Sequence, residues 1–257
     1  MEAVMVASIQ KAVKILNVIA DNGAEPTPLW KIAKQTGINK PTCSRIIDTL
    51  KNEGFLIKIS PSKGYILGPA AYCLSRFGRY GSDLISASRP IMTYLYKTLG
   101  HCVVLAVIEG GTKYVIDYID DGQIFESKQK IRKDDIYRTA TGRVIIENMT
   151  DEEIGEIWQK YGKPSDTEWS EIKTLDDLLR YRDNAPKDAV VSTRMPITGG
   201  YVSFGFAAPI RNGIKCAGAL GIAVKIEANK EKAFVEQEEK TIKSLLSKGA
   251  SLISSKL

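Results

Sequence analysis

The chain has 257 residues, which is enough for one large domain or two ordinary ones. Hydrophobic residues make up 44% and charged residues 26%, and these values argue against wholesale disorder, a collagen rod or a coiled-coil rod. The sequence has no uninterrupted apolar run of about 18 residues and does not start with a basic segment followed by an apolar one. We therefore expect a protein that neither spans a membrane nor is secreted.

Net charge is distributed unevenly along the chain. The net charge is +6 at pH 7, and all of this excess falls in residues 1–80, which hold 11 basic and 5 acidic side chains. Residues 81–257 are neutral, with 25 side chains of each sign. A chance fluctuation on a solvated surface would give the same count, but the asymmetry favours a module that faces a polyanion joined to a neutral module.

Helical periodicity predicts three helices in the N-terminal module. The first spans Ser8–Ala20, with Ser8 as the expected N-cap. A second helix over Leu29–Thr36 ends at Gly37, and a third runs from Lys40 to Glu53 with its proline in the first turn. The residues of the first helix expected to face inward share one stripe: Ile9, Ala12, Val13, Leu16 and Ile19.

The second and third helices form a helix-turn-helix pattern, whose later helix is the one that enters the DNA major groove. A β-hairpin follows, with its turn at Ser60–Gly64, and is interpreted as a basic wing. The alternative is a small helical domain that contacts proteins; the charge excess and the polar face of the third helix favour DNA. The residues expected at the DNA are Ser8, Lys11, Lys31, Lys40, Pro41, Thr42, Ser44, Arg45, Thr49, Lys58 and Lys63.

This module resembles the N-terminal domain of the IclR-type transcriptional regulators. The similar segments are Ser8–Leu16, Ile32–Leu50, Gly54–Leu56 and Tyr65–Gly68. Many winged helices share part of this pattern, so the segments that follow in the chain add to the resemblance.

The C-terminal module mixes strand pairs with helices. Apolar runs predict hairpins over Cys102–Ile119 and Val202–Ile226, and periodicity predicts helices over Asp151–Tyr161, Leu175–Ala185 and Asn229–Leu252. This mixture indicates an α+β domain. The predicted divisions of the chain are an N-terminal tail (1–7), a winged helix-turn-helix (8–68), a linker helix (69–88) and an effector-binding and oligomerisation domain (89–257), which opens with a helix at Arg89–Leu99.

The resemblance to IclR-type regulators continues through this module, at Ile136–Arg143, Ala207–Ile210 and Ala219–Ile222. It implies a GAF-like α+β effector-binding domain, joined by the linker helix to the winged helix-turn-helix. It also implies a homo-oligomer, a dimer or a dimer of dimers, that binds a palindromic double-stranded DNA operator and responds to a small organic acid. We expect a repressor of this type in the cytoplasm.

The resemblance also implies where the organic acid binds. The implied effector residues are Tyr137, Thr139, Ala140, Thr141, Gly142, Arg194, Gly205, Gly221 and Ala223. Tyr137 stands where the family usually has a histidine, and Gly221 and Ala223 stand where relatives often carry serines. We therefore expect an enlarged, less polar cavity and a ligand bulkier than a two- or three-carbon keto acid. The alternative is a pocket packed with side chains.

An enzyme would need a catalytic set, and the sequence offers none that is convincing. The one histidine, His101, lies at the start of a predicted strand, and Cys102 beside it points to the opposite face. The four cysteines, with Cys43, Cys73 and Cys216 as the others, form no C-x-x-C pair, which argues against disulfides and zinc sites. We expect no enzyme, cofactor or metal; the competing hypothesis is a sensor or enzyme whose winged helix contacts proteins.

Overall fold

The computed structural model describes residues 5–23, 25–77, 80–120 and 136–257. The chain forms two compact units, one up to Tyr80 and one from Gly81 onward. The elements of the first unit are α1 (Ala7–Ala20), α2 (Leu29–Thr36), α3 (Lys40–Asn52), β1 (Leu56–Ser60), β2 (Gly64–Leu67) and α4 (Pro69–Phe77).

Local signals in the sequence explain the three N-terminal helices. Helix α2 has the predicted bounds and ends at Gly37, whose φ of 69° is the left-handed conformation that glycine adopts without strain. Ser8 is not the cap of α1, because Val6 holds that position. Of the first helix's apolar stripe only part is buried: Ile19 is in the core, whereas Ile9 and Val13 are exposed.

The hairpin of β1 and β2 closes the core of the first unit. The two strands are antiparallel, and a bridge between Thr27 and Tyr65 attaches the α1–α2 connection to β2. Gly64 is required there, because an added Cβ would lie 2.1 Å from the Thr27 carbonyl oxygen. The core under the hairpin is apolar and consists of Ile15, Ile19, Ile32, Ala33, Ile38, Cys43, Ile47, Leu56 and Tyr65.

The second unit is built on a five-stranded antiparallel sheet. Its elements are α5 (Ser82–Leu99), β3 (Cys102–Glu109), β4 (Thr112–Ile119), α6 (Ala140–Ile146), α7 (Asp151–Tyr161), α8 (Asp166–Trp169), α9 (Leu175–Asn184), β5 (Val191–Ile197), β6 (Tyr201–Asn212), β7 (Lys215–Glu227), α10 (Glu231–Gln237) and α11 (Glu239–Ser254). The strand order is β4-β3-β7-β6-β5. The two predicted hairpins are therefore adjacent, and β5, which the sequence did not indicate, forms one edge.

Helices cover the two faces of this sheet differently. Helices α5 and α11 pack against one face, where Met92 and Leu246 meet Phe206 and Leu220 in the largest apolar core. Helix α6 packs against the other face, which we call the α6 face, through Val144 and small strand residues. Helices α7 to α9 enclose a separate apolar cluster around Trp169, Ile154 and Leu178.

Two predicted helices are interrupted in the structure. The linker helix expected over 69–88 ends at Phe77, and residues from Ser82 onward belong to α5, which continues through Pro90. Pro90 and Ser86 are both exposed, so the Ser86 carbonyl that loses its helical partner can bind water. The closing helix expected over Asn229–Leu252 is divided at Glu238 into α10 and α11.

Candidate functional site

Helix α3 presents a polar surface in the first unit. Asn39 caps the helix, its Oδ1 accepting a hydrogen bond from the Thr42 amide at 2.9 Å. Cys43 and Ile47 are completely buried and attach the helix to the core. Because these residues lie on one side, Arg45 on the other side is exposed. Such a surface can donate hydrogen bonds to phosphates and to base edges.

Most residues predicted to contact DNA are accessible in the structure. Exposed ones are Ser8, Lys11, Lys40, Pro41, Arg45, Thr49, Lys58 and Lys63, while Thr42 and Ser44 are half-buried. Lys31 is held within the unit: its Nζ donates to Asn22 Oδ1 at 2.9 Å, and the Asn22 amide donates to Thr27 Oγ1 at 2.6 Å. The Lys31 ammonium therefore stabilises the α1–α2 connection.

The start of α6 lies directly on the sheet. Thr139 is its N-cap and accepts a hydrogen bond from the Gly142 amide at 3.2 Å. Gly142 permits this turn, because an added Cβ would lie 1.9 Å from the Ile136 carbonyl oxygen. On the strands below, an added Cβ at Gly205 would meet Ala140 and the Thr193 hydroxyl. Glycines on both surfaces therefore allow the helix and sheet to approach closely.

A buried lysine stands beside this turn, and the sequence analysis missed it. Lys113 of β4 is 3% exposed, and its Nζ donates to Thr139 Oγ1 at 2.9 Å. Its pairing with Ile108 of β3 places it on the α6 face. The sequence did contain a signal for this position. Lys113 follows the Gly110–Gly111 turn closely, and in the strand that begins there successive side chains point to alternate faces of the sheet. The Lys113 amine therefore lies next to the α6 cap.

Two of the residues implied by the family resemblance, Tyr137 and Arg194, lie away from the start of α6 on the α6 face. Tyr137 is buried in the α7–α9 cluster, where its hydroxyl donates to the Gly162 carbonyl at 3.0 Å and packs near Trp169. Burial, with the nearby charges of Tyr161 and Glu168, raises the pKa of Tyr137 well above its ordinary value. Tyr137 is thus a structural residue of that cluster.

Arg194 lies on the wrong face of the sheet for contact with the α6 turn. It pairs with Phe204, whose side chain belongs to the core under α11, and its guanidinium binds Glu231 of α10 through two hydrogen bonds. Successive residues of a strand point to opposite faces, so its neighbours Thr193 and Met195 are the β5 residues on the α6 face.

Gly221 does not enlarge a cavity. A Cβ added there would lie 2.5 Å from Thr141 Cγ2 and 2.8 Å from Val104 Cγ2, so these two side chains already fill the space above the glycine. Ala223, the next residue of β7 on the same face, is half-buried and pairs with Gly205. The expected enlargement is therefore wrong at Gly221, because tertiary packing supplies the missing volume.

The described residues give few signs of catalytic or metal chemistry. His101 Nε2 lies 3.2 Å from Glu238 Oε2, and its ring packs on Phe234. Burial raises the pKa of the Cys216 thiol, which disfavours the reactive thiolate form. In the described ranges no three His, Cys, Asp or Glu side chains come together as a metal site, and none of the described helices could cross a membrane.

Comparison with known protein families decides the classification. The model of the IclR helix-turn-helix domain matches residues 8–58, and the model of the bacterial transcriptional regulator IclR C-terminal domain matches residues 80–255. The chain belongs to the IclR family. In this IclR-family protein, the first match contains α2, α3 and α1 from its second residue onward, and the second contains the whole five-stranded sheet with α6.

Individual relatives agree with this assignment. The acetate operon repressor of Salmonella typhimurium is 22% identical over 183 residues, covering 69% of this IclR-family chain and 66% of the relative. The transcriptional regulator TtgV of Pseudomonas putida is 28% identical over 153 residues, covering 56% of each chain. The chain therefore aligns with less than two thirds of the length of these curated relatives.

A solved structure shows the fold over the full length. An IclR homolog from Microbacterium hydrocarbonoxydans, crystallised as a complex with 4-hydroxybenzoate, has a TM-score of 0.72 and 16% sequence identity. The superposition covers 98% of this chain and 99% of the homolog. The fold, a helix-turn-helix unit followed by an α+β domain, is thus that of solved IclR regulators.

Proposed function

We propose that this IclR-family protein is a transcriptional repressor that binds double-stranded DNA through α3, with the β1–β2 hairpin against the backbone. The observation that carries the proposal is the capped helix α3, which presents Arg45 and Lys40 in the unit that holds the chain's whole positive charge excess. Lys58 and Lys63 on the hairpin are exposed and suit phosphate contacts.

A mobility-shift assay on DNA from upstream of its own gene tests this function. We expect sequence-specific binding whose affinity falls steeply with salt, because Lys and Arg contacts release condensed counterions from DNA. Equal binding to unrelated DNA, or no shift at low salt, would contradict the proposal. The latter result would favour the alternative in which the winged helix contacts proteins.

The effector of this regulator is proposed to be a small organic acid, bound on the α6 face beside the start of α6. Thr139, Ala140, Thr141 and Gly142 lie there above the glycine of β6, with Lys113 adjacent. One solved homolog carries the aromatic acid 4-hydroxybenzoate, which supports an organic acid as the ligand class.

Isothermal titration with aromatic and medium-length organic acids tests the effector. We expect binding of such an acid, weakened by Thr141→Val, and release of the DNA in the mobility-shift assay. Tight binding of glyoxylate or pyruvate that Thr141→Val leaves unchanged would contradict this part of the proposal. Absence of binding by every acid would favour a pocket packed with side chains.

The regulator is proposed to act as a symmetric dimer or a dimer of dimers on a palindromic operator. Ile9 and Val13 of α1 are 62% and 48% exposed, and Tyr72 and Leu74 of α4 are 70% and 65% exposed. Exposed apolar side chains such as these are typical of an interface, and two-fold symmetry matches two half-sites. Leu84, which also lies in the predicted linker segment 69–88, is instead buried in the second unit's core.

A further inference from the structure

An arginine on the α6 face has an unusually weak partner. Arg138 directly precedes the α6 cap and is half-buried, and its Nε donates to the sulfur of Met195 at 2.8 Å. Among the described residues, this thioether is the one hydrogen-bond acceptor of the Arg138 guanidinium. A thioether is a weak acceptor, whereas a guanidinium presents five donors suited to a carboxylate. The contact therefore leaves most of the binding capacity of Arg138 unused.

The side chain of Thr193 lies nearby, on the same strand as Met195. Thr193 is 8% exposed, and within the described part of the chain its hydroxyl makes no hydrogen bond. Its Oγ1 points toward α6, because it would lie 2.7 Å from a Cβ added at Gly205, a position that also contacts Ala140. The buried side-chain polar atoms without a partner in the described residues are Ser88 Oγ and Asp117 Oδ2, so the Thr193 oxygen is not one of them and stays accessible to a small molecule.

Strand geometry relates the two groups. Thr193 and Met195 are two residues apart on β5 and pair with Gly205 and Ser203, so both side chains stand on the α6 face, about 7 Å apart along the strand. The Arg138 guanidinium contacts the second of these side chains, Met195. The Arg138 guanidinium and the Thr193 hydroxyl therefore lie on the same face of β5, next to the start of α6.

We propose that Arg138 and Thr193 bind the carboxylate of the organic-acid effector, and that the apolar side chain of Met195 lies beside this carboxylate. This inference rests on the effector function proposed above and adds the two residues that select a carboxylate. The guanidinium provides charge and two parallel donors, and the threonine provides a third donor. Arg194, the arginine implied by the family resemblance, is excluded from this role because it lies on the opposite face of β5.

The experiment measures binding of benzoate, 4-hydroxybenzoate and adipate to the full chain by isothermal titration. Three matched variants test the two residues. Arg138→Gln removes the charge, and Arg138→Lys keeps the charge but removes the planar guanidinium that donates two parallel hydrogen bonds. Thr193→Val removes the hydroxyl at nearly constant volume. Arg194→Gln is the control, because it removes a positive charge from the adjacent residue on the other face. Thermal melts establish that each variant is folded.

We expect at least one of these acids to bind the unaltered protein and its neutral amide not to bind. Arg138→Gln should weaken that binding by about tenfold to a hundredfold, Arg138→Lys by less, and Thr193→Val by about fivefold, as for lost hydrogen bonds to a charged group. Arg194→Gln should leave the affinity unchanged.

Three results would overturn the inference. If an acid binds and folded Arg138→Gln and Thr193→Val proteins retain full affinity, the effector site lies elsewhere and the proposed regulator function stands. If the neutral amide binds as tightly as the acid, no carboxylate is recognised. If no acid binds, both the inference and the effector proposal fail, while the mobility-shift assay on the same samples still reports DNA binding independently.

Discussion

Arg45 lies within the first two turns of α3, where a recognition helix makes its base contacts. If its guanidinium binds a guanine edge, Arg45→Ala should cost about 1–3 kcal/mol of operator binding and relax the preference at one base pair. Fluorescence anisotropy with operator variants measures both effects. Lys51 is the control, since it lies at the far end of α3 beside Asp48, and Lys51→Ala should leave base preference unchanged. Equal loss on all sequences would instead indicate a phosphate contact.

Gly142 should tolerate no side chain. A Cβ there would overlap the Ile136 carbonyl oxygen, which is backbone and cannot move aside. We expect Gly142→Ala to lower the free energy of unfolding by about 3 kcal/mol, as for an overpacked core. Gly155, in the middle of α7 with nothing near its missing Cβ, is the matched control, and Gly155→Ala should raise stability by about 0.5–1 kcal/mol. Urea denaturation measures both, and a neutral Gly142→Ala would contradict the close approach.

Glu147, which follows α6, should make stability depend on pH. It is 3% exposed, and burial raises the pKa of its carboxyl above the ordinary value, although the hydrogen bond from Tyr181 and the charges of Lys187 and Arg143 lower it. At pH values between the unfolded-state pKa and the raised folded-state pKa, the folded protein therefore holds a proton that the unfolded chain releases. Its contribution is present below the unfolded-state pKa and is lost as the pH rises through the raised folded-state pKa.

Glu147→Gln removes this dependence while keeping an oxygen for the Tyr181 hydroxyl. We expect the variant to be more stable than the unaltered protein at pH 7.5, with the difference shrinking as the pH approaches 4.5, the ordinary carboxyl value. Urea denaturation at the two pH values measures it, and Glu236→Gln at an exposed site is the control. Lower stability of Glu147→Gln at pH 7.5 would show that the ionised carboxylate is stabilising.

At the scale of elements, α1 has two apolar surfaces with different roles. Ile15 and Ile19 attach it to the core, whereas Ile9 and Val13 face outward on its first half. Periodicity alone placed Ile9, Val13 and Ile19 on one inward stripe, because a sequence does not distinguish a side chain buried by its own unit from one covered by a second copy. The exposed apolar side chains of the first half of α1 are thus the part of this helix that we assign to the proposed dimer interface.

Replacing Ile9 and Val13 together with glutamate should abolish the dimer, since the charges would be buried against an apolar partner. Light scattering should then give the 28.3 kDa of one chain, where the unaltered protein gives at least twice that mass, and operator affinity should fall. Trp30→Ala is the control, because it removes an equally exposed apolar side chain from α2. A monomeric unaltered protein at micromolar concentration, or an oligomer that survives the double change, would contradict this interface.

At the scale of the whole molecule, each unit has its own apolar core. The first unit's core comprises side chains such as Ile15 and Ile47, and the second unit's core is built around Phe206 and Leu220. Since the second unit holds the complete sheet and α6, residues 81–257 should fold alone.

We expect this segment to unfold cooperatively in calorimetry and to bind the organic acid with the dissociation constant of the full chain, but not to shift operator DNA. A segment without a heat-capacity peak would show that the second unit depends on the first. Loss of acid binding by a folded segment would instead place part of the effector site outside residues 81–257.

The sequence by itself determined the helix-turn-helix unit, the two long hairpins and the family. These features depend on local signals: a glycine at the end of α2, a proline in the first turn of α3, and apolar runs separated by glycine turns around Gly110 and Gly213. Each signal acts within a few residues, so the chain pattern is sufficient to predict it.

Tertiary structure alone decided which residues form the α6 face. Strand β5 contains Arg194 and Pro196, and we predicted no strand there although its apolar and polar residues alternate; as an edge strand it tolerates both the charge and the proline. Its pairing with β6 turns Thr193 toward α6 and Arg194 away, and the pairing of β4 with β3 buries Lys113 on the same face. These orientations depend on strand register across the sheet, which residues distant in the sequence establish together and which no local pattern encodes.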